Sequence, residues 1–118
     1  MAQPQTKTCV LGETIFQEGD PGTEMYVVKE GEVDLFLRGK ILKSLKKGDI
    51  FGEMAIIDNS PRSATARART DCELMVINQE RFLTLVHQNP NFALEVMKVL
   101  AERLRLTNER MGDVRQGG

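Results

Sequence analysis

Glycine punctuates the first half of the chain, at positions 12, 19, 22, 31, 39, 48 and 52, with most intervals at seven to nine residues. Regular turn signals at that spacing predict successive short antiparallel strands. The segments between the glycines agree. Met25-Tyr26-Val27-Val28 is a short apolar run, and Val33, Leu35 and Leu37 alternate with Glu32, Asp34 and Phe36 in an imperfect period of two. Ile41-Leu42 follows the tight Arg38-Gly39 turn. Glu18-Gly19-Asp20-Pro21-Gly22 is a strong loop, with Pro fixing φ and Gly admitting positive φ. Two further strands are predicted at 64–69 and 72–77. The first puts Ala64, Ala66 and Ala68 on one face and Thr65, Arg67 and Arg69 on the other. Side chains that small require something to approach the face closely, either a packed element or a ligand.

After Ile77 the period changes. Asn78 is a good N-cap for a helix over 79–88, where Phe82, Leu83, Leu85 and Val86 recur at helical spacing. Asn89-Pro90 caps and opens a second helix, with Pro in the first position where its missing N–H costs nothing. This helix is predicted to run to about Gly112, ahead of a polar tail that frays. Many strands followed by two helices make an α+β chain. Seven or eight strands predict a small antiparallel β-barrel, a double-stranded jelly roll, over about residues 6–77. The 118 residues fit one domain.

The net charge of −1 gives no global basic field for nucleic acid or an anionic membrane. No apolar run approaches the ~18 residues of a membrane span, and Met1-Ala2-Gln3-Pro4 lacks the pattern of a secretion signal. A cytoplasmic location is the expectation. Cys9 and Cys72 stand far apart and outside any C-x-x-C pattern, so two reduced thiols in or near strands are expected. The lone His87, on a predicted helix, cannot build a usual zinc site, and no metal is expected.

The chemistry concentrates in residues 51–65, Phe-Gly-Glu-Met-Ala-Ile-Ile-Asp-Asn-Ser-Pro-Arg-Ser-Ala-Thr. Gly52 admits a tight backbone, and Glu53–Asp58 has room for about one and a half helical turns before Asn59-Ser60-Pro61 breaks it. Free N–H groups at the start of such a helix favour anions. Arg62 then emerges beside the helix and before the alanine-rich strand. An arginine suits bidentate phosphate binding, and an ionised glutamate suits a sugar hydroxyl. On the residues alone, Glu53 and Arg62 bind a compact ribose phosphate or pair with each other as a weak surface ion pair.

The string F-G-E-M-A-I-I-(x)3-P-R-S-A-T resembles the phosphate-binding cassette of cyclic nucleotide-binding domains, and the resemblance extends over roughly residues 10–110. It implies a cyclic-nucleotide sensor rather than an enzyme, with Phe51, Gly52, Glu53, Met54, Ala55, Arg62, Ser63, Ala64 and Thr65 at the ligand. Glu53 would accept a hydrogen bond from the ribose 2′-OH, Gly52 would permit close backbone approach, and Arg62 would pair with the cyclic phosphate. The N–H groups of Ser63 and Ala64 would face that phosphate, and Thr65 would lie toward the base. Ser63 stands where a Thr in some relatives favours cGMP, so cAMP is the expected ligand and cGMP the alternative. The residue that covers the base would come from the last helix, with Arg103, Leu104 and Asn108 as candidates.

Along that last helix Ala93, Met97, Leu100, Leu104, Thr107 and Met111 recur at alternating spacings of four and three, beside a second stripe of Phe92, Val96 and Val99. Either helix 90–112 packs one stripe on its own domain and uses the other for a homodimer, or it buries both at home. An effector protein of unknown identity is the implied partner. These residues leave no room for a winged-helix module after the last helix, so no direct DNA contact is expected. A ligand-free interaction module of the same fold is the alternative function. A metal-dependent cupin-like enzyme would need several His ligands, and no nucleophile–base pair is visible for catalysis.

Overall fold

The computed structural model describes residues 5–115, and side chains over residues 5–105. Eight strands and three helices follow one another along the chain. The strands are β1 (Gln5–Cys9), β2 (Thr14–Phe16), β3 (Glu24–Glu30), β4 (Val33–Leu37), β5 (Lys40–Leu45) and β6 (Ile50–Phe51), then β7 (Thr65–Ala68) and β8 (Cys72–Asn78). The helices are α1 (Met54–Ile57), α2 (Gln79–Gln88) and α3 (Pro90–Arg115). Two compact units divide the chain, Met1–Phe82 and Leu83–Gly118.

The first unit carries all the strands. They form two four-stranded antiparallel sheets, ordered β1-β8-β3-β6 and β2-β7-β4-β5. The expected closed barrel, a double-stranded jelly roll, is therefore incorrect: the strands make two open sheets. A barrel needs an unbroken ladder around its circumference. Here β2 and β6, an outer strand in each sheet, are only three and two residues long. Neither is long enough to extend a ladder from one sheet to the other. The β2–β7 pairing also slips register between Thr14 and Phe16, which bends the strand away. Alternation in the sequence says which face of a strand is buried. It does not say which edges pair.

The β4–β5 hairpin turns on Arg38 and Gly39, both at positive φ (53° and 81°), as a two-residue turn matched to strand twist requires. Phe16, Tyr26, Val28, Val33, Leu45, Phe51 and Leu74 form the core with Ala66, Ala68 and both cysteines. The alanines answer the question their size posed. Ala66 stands opposite Phe16 and Leu35, and Ala68 opposite Val33, so small residues make room for large cross-strand neighbours. Both cysteines are free thiols, as expected, and both are buried.

At the end of β8, Asn78 Oδ1 accepts the Arg81 N–H at 2.8 Å, the cap predicted for α2. In the second unit the Asn89 N–H donates to the Leu85 carbonyl, closing the last turn of α2, and the Phe92 N–H donates to the Asn89 carbonyl to open α3. Helix α3 continues to Arg115, past the predicted stop at Gly112, and residues 116–118 of the expected tail lie outside the described residues. Among the described residues no helix is long and apolar enough to cross a membrane, and no three His, Cys, Asp or Glu side chains cluster as metal ligands.

Candidate functional site

Strand β6 ends at Phe51, whose ring packs 5.2 Å from Tyr26 and 5.9 Å from Phe16. Gly52 follows at φ +78°, a backbone state that L side chains rarely adopt, and reverses the chain into α1. Glu53 sits at the N-cap of α1 and is 1% exposed. The helix is a single turn, shorter than the one and a half turns predicted. It stops at Asp58, whose N–H donates to the Met54 carbonyl at 3.1 Å. Asn59, at φ +58°, takes the left-handed conformation that ends it. Asp58 Oδ1 then accepts the Ser60 N–H at 3.1 Å, bending the chain toward Pro61 and Arg62.

Arg62 is held at both its backbone and its side chain. Its N–H donates to the Asp20 carbonyl at 2.8 Å, and its carbonyl accepts the Gly19 N–H at 2.7 Å. The Glu18–Gly22 loop thereby fixes where the side chain starts. The guanidinium then runs inward and is only 7% exposed. Nη1 donates to the Gly52 carbonyl at 3.1 Å, and Cζ lies 4.2 Å from the centre of the Phe16 ring and 5.7 Å from that of Tyr26. Two glycines make the slot. A Cβ on Gly22 would stand 2.4 Å from Cζ and Nε, and one on Gly52 would stand 2.8 Å from Nη1. Burial lowers the Arg62 pKa, and Tyr26, Glu24, Asp20 and Glu53 in turn oppose that shift by favouring the cation. Nε is buried and makes no hydrogen bond within the described residues. A desolvated arginine with an unused N–H is a strong donor toward an anion, since a charge-assisted bond gains where water is excluded.

The other predicted residues divide. Glu53 joins Arg62 in the interior, so the two are no exposed surface pair. Ala55 and Ala64 are buried, Met54 is half-buried and Ser63 is exposed. Thr65 is half-buried, and its hydroxyl accepts the Glu18 N–H at 3.0 Å, stitching the cassette to the same loop that holds Arg62. An open groove of about 370 Å³ lies where α1 faces the β8–α2 junction, lined by Thr23, Ala55, Ile56, Asn59, Asn78, Gln79 and Glu80. Of the predicted residues only Ala55 lines it. Glu53 and Arg62 do not line it.

Reading the cassette alone misses the far side of the site. Phe16, Tyr26 and Gly22 enclose the guanidinium, and Tyr26 Oη donates to Glu24 Oε1 at 3.3 Å. Burial raises the Tyr26 pKa, with Glu24 adding to it, so the hydroxyl stays a donor. Only the Pro21-Gly22 turn signalled that this loop had a tight structural duty. Of the base-covering candidates, Arg103 is half-buried, Leu104 is exposed, and the side chain of Asn108 lies outside the described residues, as do those of Thr107 and Met111.

A sequence profile described as cyclic nucleotide-binding domain matches residues 7–89. The cAMP-dependent protein kinase regulatory subunit of Emericella nidulans is 40% identical over 77 residues, which are 64% of this chain and 19% of that protein. The CRP-like cAMP-activated global transcriptional regulator of Mycobacterium tuberculosis is 30% identical over 108 residues, 87% of this chain and 48% of the regulator. Among solved structures, the catabolite activator protein of Thermus thermophilus superposes with a TM-score of 0.84 at 35% identity, over 95% of this chain and 55% of that one. The chain thus spans about half or less of the length of these relatives.

Proposed function

The chain belongs to the cyclic nucleotide-binding domain family, and from that premise we propose that it is a sensor of cAMP, and less readily of cGMP. In this reading Arg62 grips the cyclic phosphate, using the Nε proton that has no hydrogen-bond partner among the described residues together with its terminal nitrogens. Glu53, buried at the head of α1, takes the ribose 2′-OH, and Gly52 gives the sugar its approach. Ser63 and Ala64 offer their N–H groups to the phosphate, and Phe51, Met54, Ala55 and Thr65 complete the surround. The buried guanidinium carries the proposal. A structural arginine would satisfy its donors at home, and this one is desolvated with Nε unpaired among the described residues. The site offers donors and acceptors to a ligand, and its role is binding and regulation rather than catalysis. The two relatives bear names tied to cAMP.

Binding is relayed to an effector through the C-terminal helices, and α3 pairs with a second copy. Leu94, Met97 and Leu104 are all exposed at spacings of three and seven along α3, beside the half-buried Ala93 and Leu100 of the predicted stripe. Calorimetric titration of the purified chain with cAMP and cGMP tests the ligand. Saturable heat with cAMP at the lower concentration is expected. No heat and no rise in melting temperature at millimolar nucleotide would leave an interaction module that has kept the fold without the ligand.

A further inference from the structure

We infer that Cys9 and Cys72 form a dithiol modification site, which a low-molecular-weight disulfide converts to an intrachain cross-strand disulfide. The two residues are register partners at the end of the β1–β8 ladder. Antiparallel partners hold their Cα atoms about 4.5–5.5 Å apart. That lies inside the ~4.4–6.8 Å window in which a disulfide closes without moving the backbone. Both side chains lie on the core side of the sheet, 0% and 4% exposed, in the same core cluster, so the two thiols are close neighbours. The chain has no other cysteine, so each thiol has one intrachain partner and faces it directly.

The surroundings hold the pair in place. A Cβ on Gly31 would come within 2.7 Å of Cys72 Cβ and 2.3 Å of the Asp71 carbonyl oxygen, so the backbone of Gly31 is pressed against Cys72. The pair is quiescent at rest. Burial, with Glu13 adding to it, raises the Cys9 thiol, and burial with the neighbouring Cys9 pushes Cys72 to about 11. Access comes through β1, an outer strand of five residues whose Gln5, Thr6 and Thr8 are exposed. Local opening of such an edge is far cheaper than global unfolding, and it uncovers Cys9 first.

The exchange balances in two steps. The Cys9 thiolate attacks one sulfur of the reagent disulfide, breaking its S–S bond and releasing one thiol, which takes up the proton Cys9 gave. As β1 re-pairs, Cys72 attacks the Cys9 sulfur of the mixed disulfide and displaces the second thiol. Two electrons pass from the protein to the reagent. The product ties β1 to β8 and closes a loop of some sixty residues, which restricts the unfolded chain.

The test is incubation of the full chain with oxidised glutathione, followed by alkylation and intact-mass measurement. The expected product has lost two hydrogens, takes no alkylating agent, and yields a Cys9–Cys72 linked peptide on non-reducing digestion. Its melting temperature is higher, and dithiothreitol reverses the rise. Cys72→Ser should stop at the glutathione adduct of Cys9. A stable glutathione adduct on the wild-type chain, disulfide-linked dimers, or two thiols still free for alkylation would each overturn the inference.

Discussion

Gly22→Ala isolates the guanidinium slot without touching a charged residue. The added methyl would lie 2.4 Å from Arg62 Cζ and Nε and 2.7 Å from Nη2, closer than non-bonded carbon and nitrogen ever approach. Arg62 cannot retreat inward, because the Phe16 ring stands 4.2 Å from Cζ and Nη1 is already bonded to the Gly52 carbonyl. It must swing out. The backbone tolerates the change, since Gly22 is not among the glycines at positive φ, and Ala there restricts the unfolded chain by roughly 0.4–1 kcal/mol. Losing one charged hydrogen bond costs about 1.5–3 kcal/mol and losing the ring contact about 0.5–2. Relief of a buried charge offsets these by several kcal/mol. Stability should therefore move by no more than about 1 kcal/mol. Binding should fall much further. A displaced Arg62 forfeits its charged contacts to the phosphate, about 1.5–3 kcal/mol, or roughly 10- to 150-fold in Kd. Calorimetry with cAMP and parallel urea unfolding of both proteins measure the two effects. Arg62→Ala added to Gly22→Ala should weaken binding little beyond either change alone, because both remove one interaction. A folded Gly22→Ala chain that binds cAMP within threefold of wild type would refute the reasoning.

Arg62→Lys keeps the charge but not the fork, so cAMP affinity should fall by roughly tenfold in calorimetry, and Glu53→Ala should fall less than Arg62→Ala. Gly31→Ala meets backbone at φ +85°, where neither strain nor contact can relax, and urea unfolding should show a loss of at least ~2 kcal/mol. In alkaline solution the folded chain keeps the Cys72 proton up to about pH 11, whereas the unfolded chain releases it near the ordinary thiol value of 9.0. The folded state then holds more protons than the unfolded one, so stability falls as pH rises through that window, and Cys72→Ser should flatten the decline. Met97→Glu puts a charge on the exposed stripe of α3; under the proposed pairing, sedimentation should show a dimer for the wild type and a monomer for the variant, with cAMP affinity per chain unchanged.

What could be read from the sequence was local. Asn78 announced α2 because its side chain bonds three residues ahead, and the alanines of β7 announced a close neighbour because size is a property of one residue. Gly52 and Asn59 marked the ends of α1 for the same reason. What could not be read was pairing at a distance. The two sheets differ from the expected barrel only in which edges meet, and the short strands that leave them open, β2 and β6, look in sequence like any other brief apolar run. Arg62 shows the limit most clearly. Its motif identifies the residue, but its burial depends on Gly19 and Asp20 for its backbone and on Gly22, Phe16 and Tyr26 for its slot, all some forty residues earlier. A cation exposed on a loop is screened and contributes little, whereas a desolvated cation interacts strongly with the charges and dipoles it meets. On the proposed reading the cassette supplies the charge, and the early loop supplies its burial. A substitution at Gly22 should therefore damage recognition as much as one inside the cassette.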